Sequence, residues 1–170
     1  MALTLSSKLV SIIVLTSAVL LAPGFVTASE TAKPVDFALQ RLHGNEVSVS
    51  DFRGQWVVLN YWATWCAPCR KEIPDLSALH AAHENLTVLG LAFEDTELEN
   101  FDKFLEDFHP GYPILLVDVY APPEPFGAPR VLPTTIILNP EGIPVKTYLG
   151  PVTRKDIESF IDTGPAYRRE

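Results

Sequence analysis

Cysteine is almost absent from this chain: two residues in 170, and those two sit together as Cys66 and Cys69. No long-range disulfide framework can staple such a fold. Histidine is scarce as well, and none follows His109. Positive charge is short, with 13 Lys and Arg against 21 Asp and Glu and a formal net charge of −8. That balance argues against nucleic acid or anionic lipid as a partner. No internal repeat or low-complexity tract occurs. The isolated cysteine pair is left with three uses: to bind a metal, to bridge to another chain, or to cycle between dithiol and disulfide.

One long apolar stretch lies at the start. Lys8 precedes an apolar run over residues 9–22, Pro23 and Gly24 break it, and Val26, Thr27 and Ala28 offer a small-residue cleavage site. Residues 1–28 read as a secretory leader, with an uncleaved inner-membrane anchor as the other reading. No cysteine follows the apolar run, which excludes a lipidated start. Cleavage after Ala28 would remove one lysine and no acid, taking the charge from −8 to −9. The remaining 142 residues (170 minus 28) suit one domain, burying about two-thirds of its unfolded surface. The expected organisation is a leader over 1–28, a linker over 29–34, a domain over 35–163 and a polar tail over 164–170.

Within the domain, residues 37–42 and 46–49 flank His43, Gly44 and Asn45 and predict a hairpin. Residues 56–61 form a short apolar, β-branched run, as expected of a strand buried on both faces. The cysteines follow at once, and a helical pattern runs on to about His83. Cys69, Ile73, Leu76 and His80 recur at helical spacing, which turns Cys69 inward. Pro74 should kink this helix. Residues 87–93 predict a second buried strand. Thr96 and Glu99 then read as a capping box, opening a helix with Leu98, Phe101, Leu105 and Phe108 on its inner face. Residues 114–117 predict a third strand, and 134–138 with 145–149 a hairpin around Asn139, Pro140, Glu141 and Gly142. Thr153 caps a last helix with Ile157, Phe160 and Ile161 inward. The order predicts an α/β sandwich around a central mixed sheet, with the cysteines where a central strand ends and a helix begins.

That position suits redox chemistry. The nucleophile in thiol-disulfide exchange is the thiolate, and a helix N-terminus offers it unpaired N–H groups and the positive end of the dipole. In such motifs the thiol pKa falls from about 8.5 to roughly 3.5–7.5. Arg70 and Lys71 add positive charge in the first turn. Cys66 comes first and is assigned as an exposed nucleophile; Cys69, one turn in, would resolve the mixed disulfide. Pro68 fits a first helical turn, and Trp62 and Trp65 would wall the site. The competing reading is half a zinc site completed by His80 and His83. Ten residues separate Cys69 from His80, against about twelve in a finger with longer His spacing. The two histidines read better as helix-face or core residues.

The run from Val57 through Trp62, Ala63, Thr64, Trp65, Cys66, Ala67, Pro68, Cys69, Arg70, Lys71, Glu72, Ile73 and Pro74 resembles the thioredoxin fold. Within it, the run is similar to the exported TlpA-like/ResA-like branch, a redoxin or AhpC/TSA-type domain that includes cytochrome c biogenesis thioredoxins. The lead-in Val47-Ser48-Val49-Ser50-Asp51-Phe52-Arg53-Gly54, the motif Leu132-Pro133-Thr134-Thr135 and the turn Asn139-Pro140-Glu141-Gly142 resemble that branch too. The match covers residues 36–161, nearly all of the expected mature chain. It implies a three-layer sandwich with helices on both faces of the sheet and an N-terminal hairpin. Pro133 matches the cis-proline that faces the cysteines, and the Leu132 main chain would pair with an extended substrate segment. Trp65, Ala67 and Pro68 complete the implied substrate contact. Glu72 matches an acid near the pair; it reads either as a proton relay for Cys69 or as a solvated first-turn acid. Asn60 stands where ordinary thioredoxins carry a buried aspartate, which raises the weight on Glu72. Glu94 and Asp95 end the second strand and read as a capped helix start, with tuning of the site as the other reading. Pro122, Pro123, Pro125 and Pro129 interrupt a stretch that is helical in most members, which predicts an extended loop over 121–130 beside the site.

The resemblance implies a periplasmic thiol-disulfide oxidoreductase, a monomer that reduces exported proteins, apocytochrome c or copper-site assembly proteins among them. Its only redox group would be the Cys66–Cys69 disulfide, with no separate cofactor and no metal. Electrons would come from a membrane thiol transporter of the DsbD/CcdA type. The same chemistry can run in the oxidative or isomerase direction. A thioredoxin-like copper metallochaperone is a third reading, since soft thiolates suit Cu(I); such proteins usually place three residues between their cysteines and add a distant histidine, whereas here two residues intervene and no histidine follows His109. A peroxiredoxin-like peroxidase is a fourth. Its threonine lies three residues before the reactive cysteine, whereas Thr64 lies two before Cys66.

Overall fold

A computed structural model describes residues 33–163. The expected leader, the start of the linker and the tail lie outside the described residues. Among the described residues no helix is long and apolar enough to cross a membrane. The chain opens with a short antiparallel hairpin of β1 (Ala38–Gln40) and β2 (Glu46–Ser48), followed by a 3-10 turn over Val49–Phe52. It then runs through β3 (Trp56–Trp62), α1 (Ala67–Ala82) and β4 (Leu86–Phe93). Next come α2 (Leu98–Asp107), β5 (Ile114–Val117), β6 (Thr134–Leu138), β7 (Pro144–Leu149) and α3 (Arg154–Thr163).

Five strands form one sheet in the order β5-β4-β3-β6-β7, with β3, β4 and β5 parallel and β6 and β7 antiparallel to their neighbours. All seven residues of β3 are buried, because this strand is bonded on both edges and covered on both faces. Its alternate side chains part to the two faces. Val57, Leu59 and Tyr61 join Leu89, Leu91, Leu115 and Leu138 under the 3-10 turn, where Val49 is buried and Phe37 and Phe126 pack. Val58 packs beneath Leu76 and Leu79 of α1 and Ile157 of α3. Trp62 rests against Phe101 and Phe104 of α2. The hairpin also guards the sheet's β5 edge: Leu42 N–H donates to the Ile114 carbonyl, and Arg41 bridges Leu115.

Pro74 does not interrupt α1, which runs unbroken from Ala67 to Ala82. A mid-helix proline costs about 3 kcal/mol. Burying a side chain such as Ile73, Leu76 or Leu79 contributes about 1.5–3 kcal/mol, and all three are buried here. Packing on the sheet therefore outweighs the lost hydrogen bond. The inner face of α1 holds Leu79 in place of His80, which is half-buried and accepts a hydrogen bond from Val88 N–H at its Nδ1.

The expected capping box on α2 does not form. Glu97 is the N-cap and no side chain caps it, while Thr96 Oγ1 accepts from Asn100 Nδ2. Leu98 is half exposed and Phe104 takes its expected place inside; the helix starts at Leu98, one residue later than the Thr96 signal implied. Thr153 does cap α3, exchanging hydrogen bonds with Asp156.

Where β4 passes the other side chains most closely it carries Gly90. A Cβ there would lie 2.9 Å from the Tyr112 ring and 3.0 Å from Trp62 Nε1. Gly90→Ala should overpack this point and cost about 1–3 kcal/mol, read as a lower urea midpoint at unchanged m-value; an unshifted midpoint would refute the close packing.

Candidate active site

Strand β3 runs out at Trp62, and α1 begins five residues later. Cys66 lies between them as the helix N-cap, and its sulfur accepts from Cys69 N–H at 3.3 Å. The two cysteines are joined as a disulfide, and no cysteine is free. The donor aimed at Cys66 Sγ gives the pair its asymmetry. On reduction, a thiolate at Cys66 keeps a main-chain N–H and the helix dipole, both of which favour the anion. Cys69 sits among Trp62, Ile73, Phe101 and Phe104, apolar surroundings that offer an anion little.

Cys66 differs from expectation in one respect. It is 4 % exposed, whereas Trp65 is 67 % exposed. A first cap position is open in an isolated helix, but here the same apolar cluster that holds Cys69 closes over Cys66. Trp62 lines the site from beneath and not at its surface: it is buried against α2 in the cluster that holds both cysteines. The presented surface is Trp65, Ala67 and Pro68, all exposed, with Pro68 in the first turn where its missing N–H leaves no gap.

The Leu132–Pro133 peptide is cis and immediately precedes β6, whose Thr134 pairs with Tyr61 of β3. This register brings the proline to the same end of the sheet as the cysteines, and Leu132 packs against the cluster that contains them. Among the described residues, the Leu132 main chain has no hydrogen-bond partner. It lines an open groove of about 360 Å³ with Trp65, Phe93, Pro129, Arg130 and Val131. An extended segment in that groove could pair with both free main-chain groups. The stretch 121–130 is free of helix, as its prolines require, and its Phe126 packs edge-on against Phe37.

Glu72 is buried, not a solvated first-turn acid. Asn60 Nδ2 donates to its Oε1 at 2.8 Å, and Val152 N–H donates to its Oε2 at 3.0 Å. Asn60 also donates to Thr135 Oγ1, so one amide ties α1 to β3 and β6. Burial raises the Glu72 carboxyl above its usual range, and the hydrogen bonds from Val152 and Asn60 oppose that only in part. The same carboxylate, after burial, helps push up the Tyr112 phenol. A carboxyl with a raised pKa, one turn along from Cys69, is better suited to accept a proton than an ordinary carboxylate.

Glu94 does not cap α2. Its Oε1 accepts from Thr64 N–H at 2.8 Å and its Oε2 from Thr64 Oγ1 at 2.9 Å. Asp95 instead accepts from the exposed Tyr120 hydroxyl. Arg70 donates to the Thr64 carbonyl and lies over the Phe108 ring. Sequence reasoning missed the Thr64 contact, although the parallel register of β3 and β4 would have revealed it. Among the described residues no His, Cys, Asp and Glu group could hold a metal. His80 is engaged with Val88, and His83 with Glu158.

Three comparisons bear on this geometry. Residues 31–146 match the AhpC/TSA family. The thiol-disulfide oxidoreductase ResA of Geobacillus thermodenitrificans (strain NG80-2) is 33 % identical over 129 residues, covering 75 % of this chain and 74 % of its own. A DsbF homologue from Corynebacterium diphtheriae is 32 % identical with a TM-score of 0.67, over 84 % of this chain and 96 % of that one. A secreted thiol-disulfide isomerase from Corynebacterium glutamicum is 34 % identical with a TM-score of 0.64, over 74 % of this chain and 81 % of that one.

The raised Glu72 pKa fixes the sign of a pH effect. Folded Glu72 holds its proton more tightly than unfolded Glu72, so its stabilising contribution is full in acid and lost as pH rises through the raised value. The Tm of the wild type relative to Glu72→Gln should therefore fall as pH rises above the ordinary carboxyl range. In the same variant the pH profile of disulfide reduction should lose its acid limb; an unchanged profile would remove Glu72 from proton transfer.

Proposed function

The chain belongs to the AhpC/TSA family and is a thiol-disulfide oxidoreductase, and from that premise we propose that it acts outside the cytoplasm as a reductant of exported proteins. One observation carries the reading: a Cys66–Cys69 disulfide at the N-terminus of α1, at the same end of the sheet as a cis-proline that leaves the Leu132 main chain free. The secreted relative in Corynebacterium glutamicum supports an exported location, as does the leader read from residues 1–28.

In the proposed cycle, an extended segment of the substrate lies in the groove of Trp65, Val131 and Leu132, against Ala67, Pro68 and Pro133. The Cys66 thiolate attacks one substrate sulfur, forming a mixed disulfide and freeing the other sulfur as a thiolate that takes up a proton. Cys69 passes its proton to Glu72, attacks Cys66 Sγ and closes the Cys66–Cys69 disulfide. The second substrate sulfur leaves and takes up a proton. Two electrons have then moved from the chain to the substrate, which becomes a dithiol; its two protons balance the one Cys66 gave to solvent on ionising and the one Cys69 passed to Glu72.

An external thiol must restore the dithiol, because the sequence offers no third cysteine. A membrane thiol transporter of the DsbD/CcdA type fits that need, and apocytochrome c or a copper-site assembly protein fits the substrate role. The name of the Corynebacterium glutamicum relative favours one second reading, disulfide isomerisation.

The reduction potential separates the two directions. A value near that of thioredoxin, about −270 mV, with the pair mainly reduced in cells, supports the reductant. A value near that of protein disulfide isomerase, about −180 mV, favours isomerisation. Cys69→Ser should accumulate a mixed disulfide with its substrate through Cys66, while Cys66→Ser should lose essentially all exchange activity. Trapping through Cys69 alone would reverse the assigned roles.

A further inference from the structure

The parallel ladder of β3 and β4 pairs residues at a constant offset of 30, from Trp56 with Leu86 to Trp62 with Ala92. Beyond Trp62 the two chains part, β3 toward the cysteines and β4 toward α2. The next contact keeps the offset, for Thr64 and Glu94 are also 30 apart. It is made by a side chain, however: both oxygens of the Glu94 carboxylate hold Thr64, one on the main-chain N–H and one on the hydroxyl. Glu94 thus continues the ladder where its own main chain has turned away. Thr64 lies two residues before Cys66, so their Cα atoms are at most about 7 Å apart. Between them Cys66 N–H donates to the Ala63 carbonyl, closing the turn that Glu94 anchors.

We propose that Glu94 is a positioning residue for thiol-disulfide exchange, clamping the turn that carries Cys66 and, through its negative charge, making the cysteine pair a stronger reductant. This rests on the reading of Cys66 as the nucleophile. The clamp holds the turn in one geometry through both halves of the cycle. The charge acts on the reduced state. A Cys66 thiolate feels Glu94 as a like charge, which destabilises the dithiol and favours giving two electrons and two protons to the partner's disulfide. The other charged groups around the turn are Arg70 and Lys71 on α1, Lys103 and Asp107 on α2, Asp95 beside Glu94, and Arg130 across Trp65. Arg70, which reaches the Thr64 carbonyl, opposes Glu94. The pair is therefore set by two opposite charges on one residue's main chain. A unit charge roughly 7–10 Å away shifts an ionisation about two- to threefold even at the dielectric of water, and more near a protein surface.

The test uses the full chain and three readings: the pH profile of Cys66 alkylation by iodoacetamide, the equilibrium constant with glutathione, and the rate of exchange. Glu94→Gln keeps the shape and removes the charge. It should move the alkylation profile to lower pH and, above the thiol's pKa, weaken the chain as a reductant more than twofold in the equilibrium constant. Thr64→Val removes the hydroxyl arm and leaves the charge; it should slow exchange while keeping the equilibrium constant within twofold. A Glu94→Gln protein within twofold of wild type in both profile and constant would overturn the proposal. So would a Thr64→Val protein shifted as far as Glu94→Gln. A wild-type chain that exchanged no disulfides would refute the proposed function instead, and the alkylation profile would still report on Glu94.

Discussion

Everything at the active end of this protein is referred to one strand. β3 is buried along its whole length, paired in parallel with β4 on one side and antiparallel with β6 on the other. A strand locked on both edges cannot slip in register without turning its apolar side chains to the wrong face. Its end is therefore a fixed point. The turn from Ala63 to Cys66, the first turn of α1 and the cis Leu132–Pro133 bond are all placed by continuing β3 or its neighbours a few residues past the sheet. A redox centre needs that rigidity, since exchange requires three sulfur atoms to come into line.

Around the fixed point the electrostatics are divided by depth. Beneath the pair, Glu72 is buried and shifted toward its protonated form. Beside it, Glu94 is half-buried and occupied by two donors from Thr64. Above it, Trp65, Ala67 and Pro68 present an uncharged contact surface. In the proposed cycle the two carboxylates divide proton transfer and positioning between them because their surroundings differ, a general way for one residue type to take two roles. Arg70 is the counterweight, held over Phe108 and against the Thr64 carbonyl.

Much of this was legible in the chain. The apolar β-branched run before Cys66 reads as a buried strand because only burial on both faces suits it, and the structure places β3 there. The prolines between Pro122 and Pro129 forbid a helix through lost N–H groups and fixed φ, and none forms. The errors share a cause. The Thr96 cap, the inward Leu98 and the exposed Cys66 were all inferred from local pattern, and each was decided by packing against elements remote in sequence. Local preferences of about 1 kcal/mol per cap yield to an apolar cluster worth several times that.

The sequence by itself determined the chemistry: two cysteines at a spacing of three, placed where a strand gives way to a helix, in a chain with no other thiol. That information is local, since neighbours within one helical turn meet whatever the rest of the chain does. Only the tertiary structure decided how the pair is surrounded. Glu72 meets Asn60 across 12 positions and Val152 across 80, Asn60 meets Thr135 across 75, and Glu94 meets Thr64 across 30. Such contacts have no spacing signal of their own. They exist because strand register and helix packing bring the groups together.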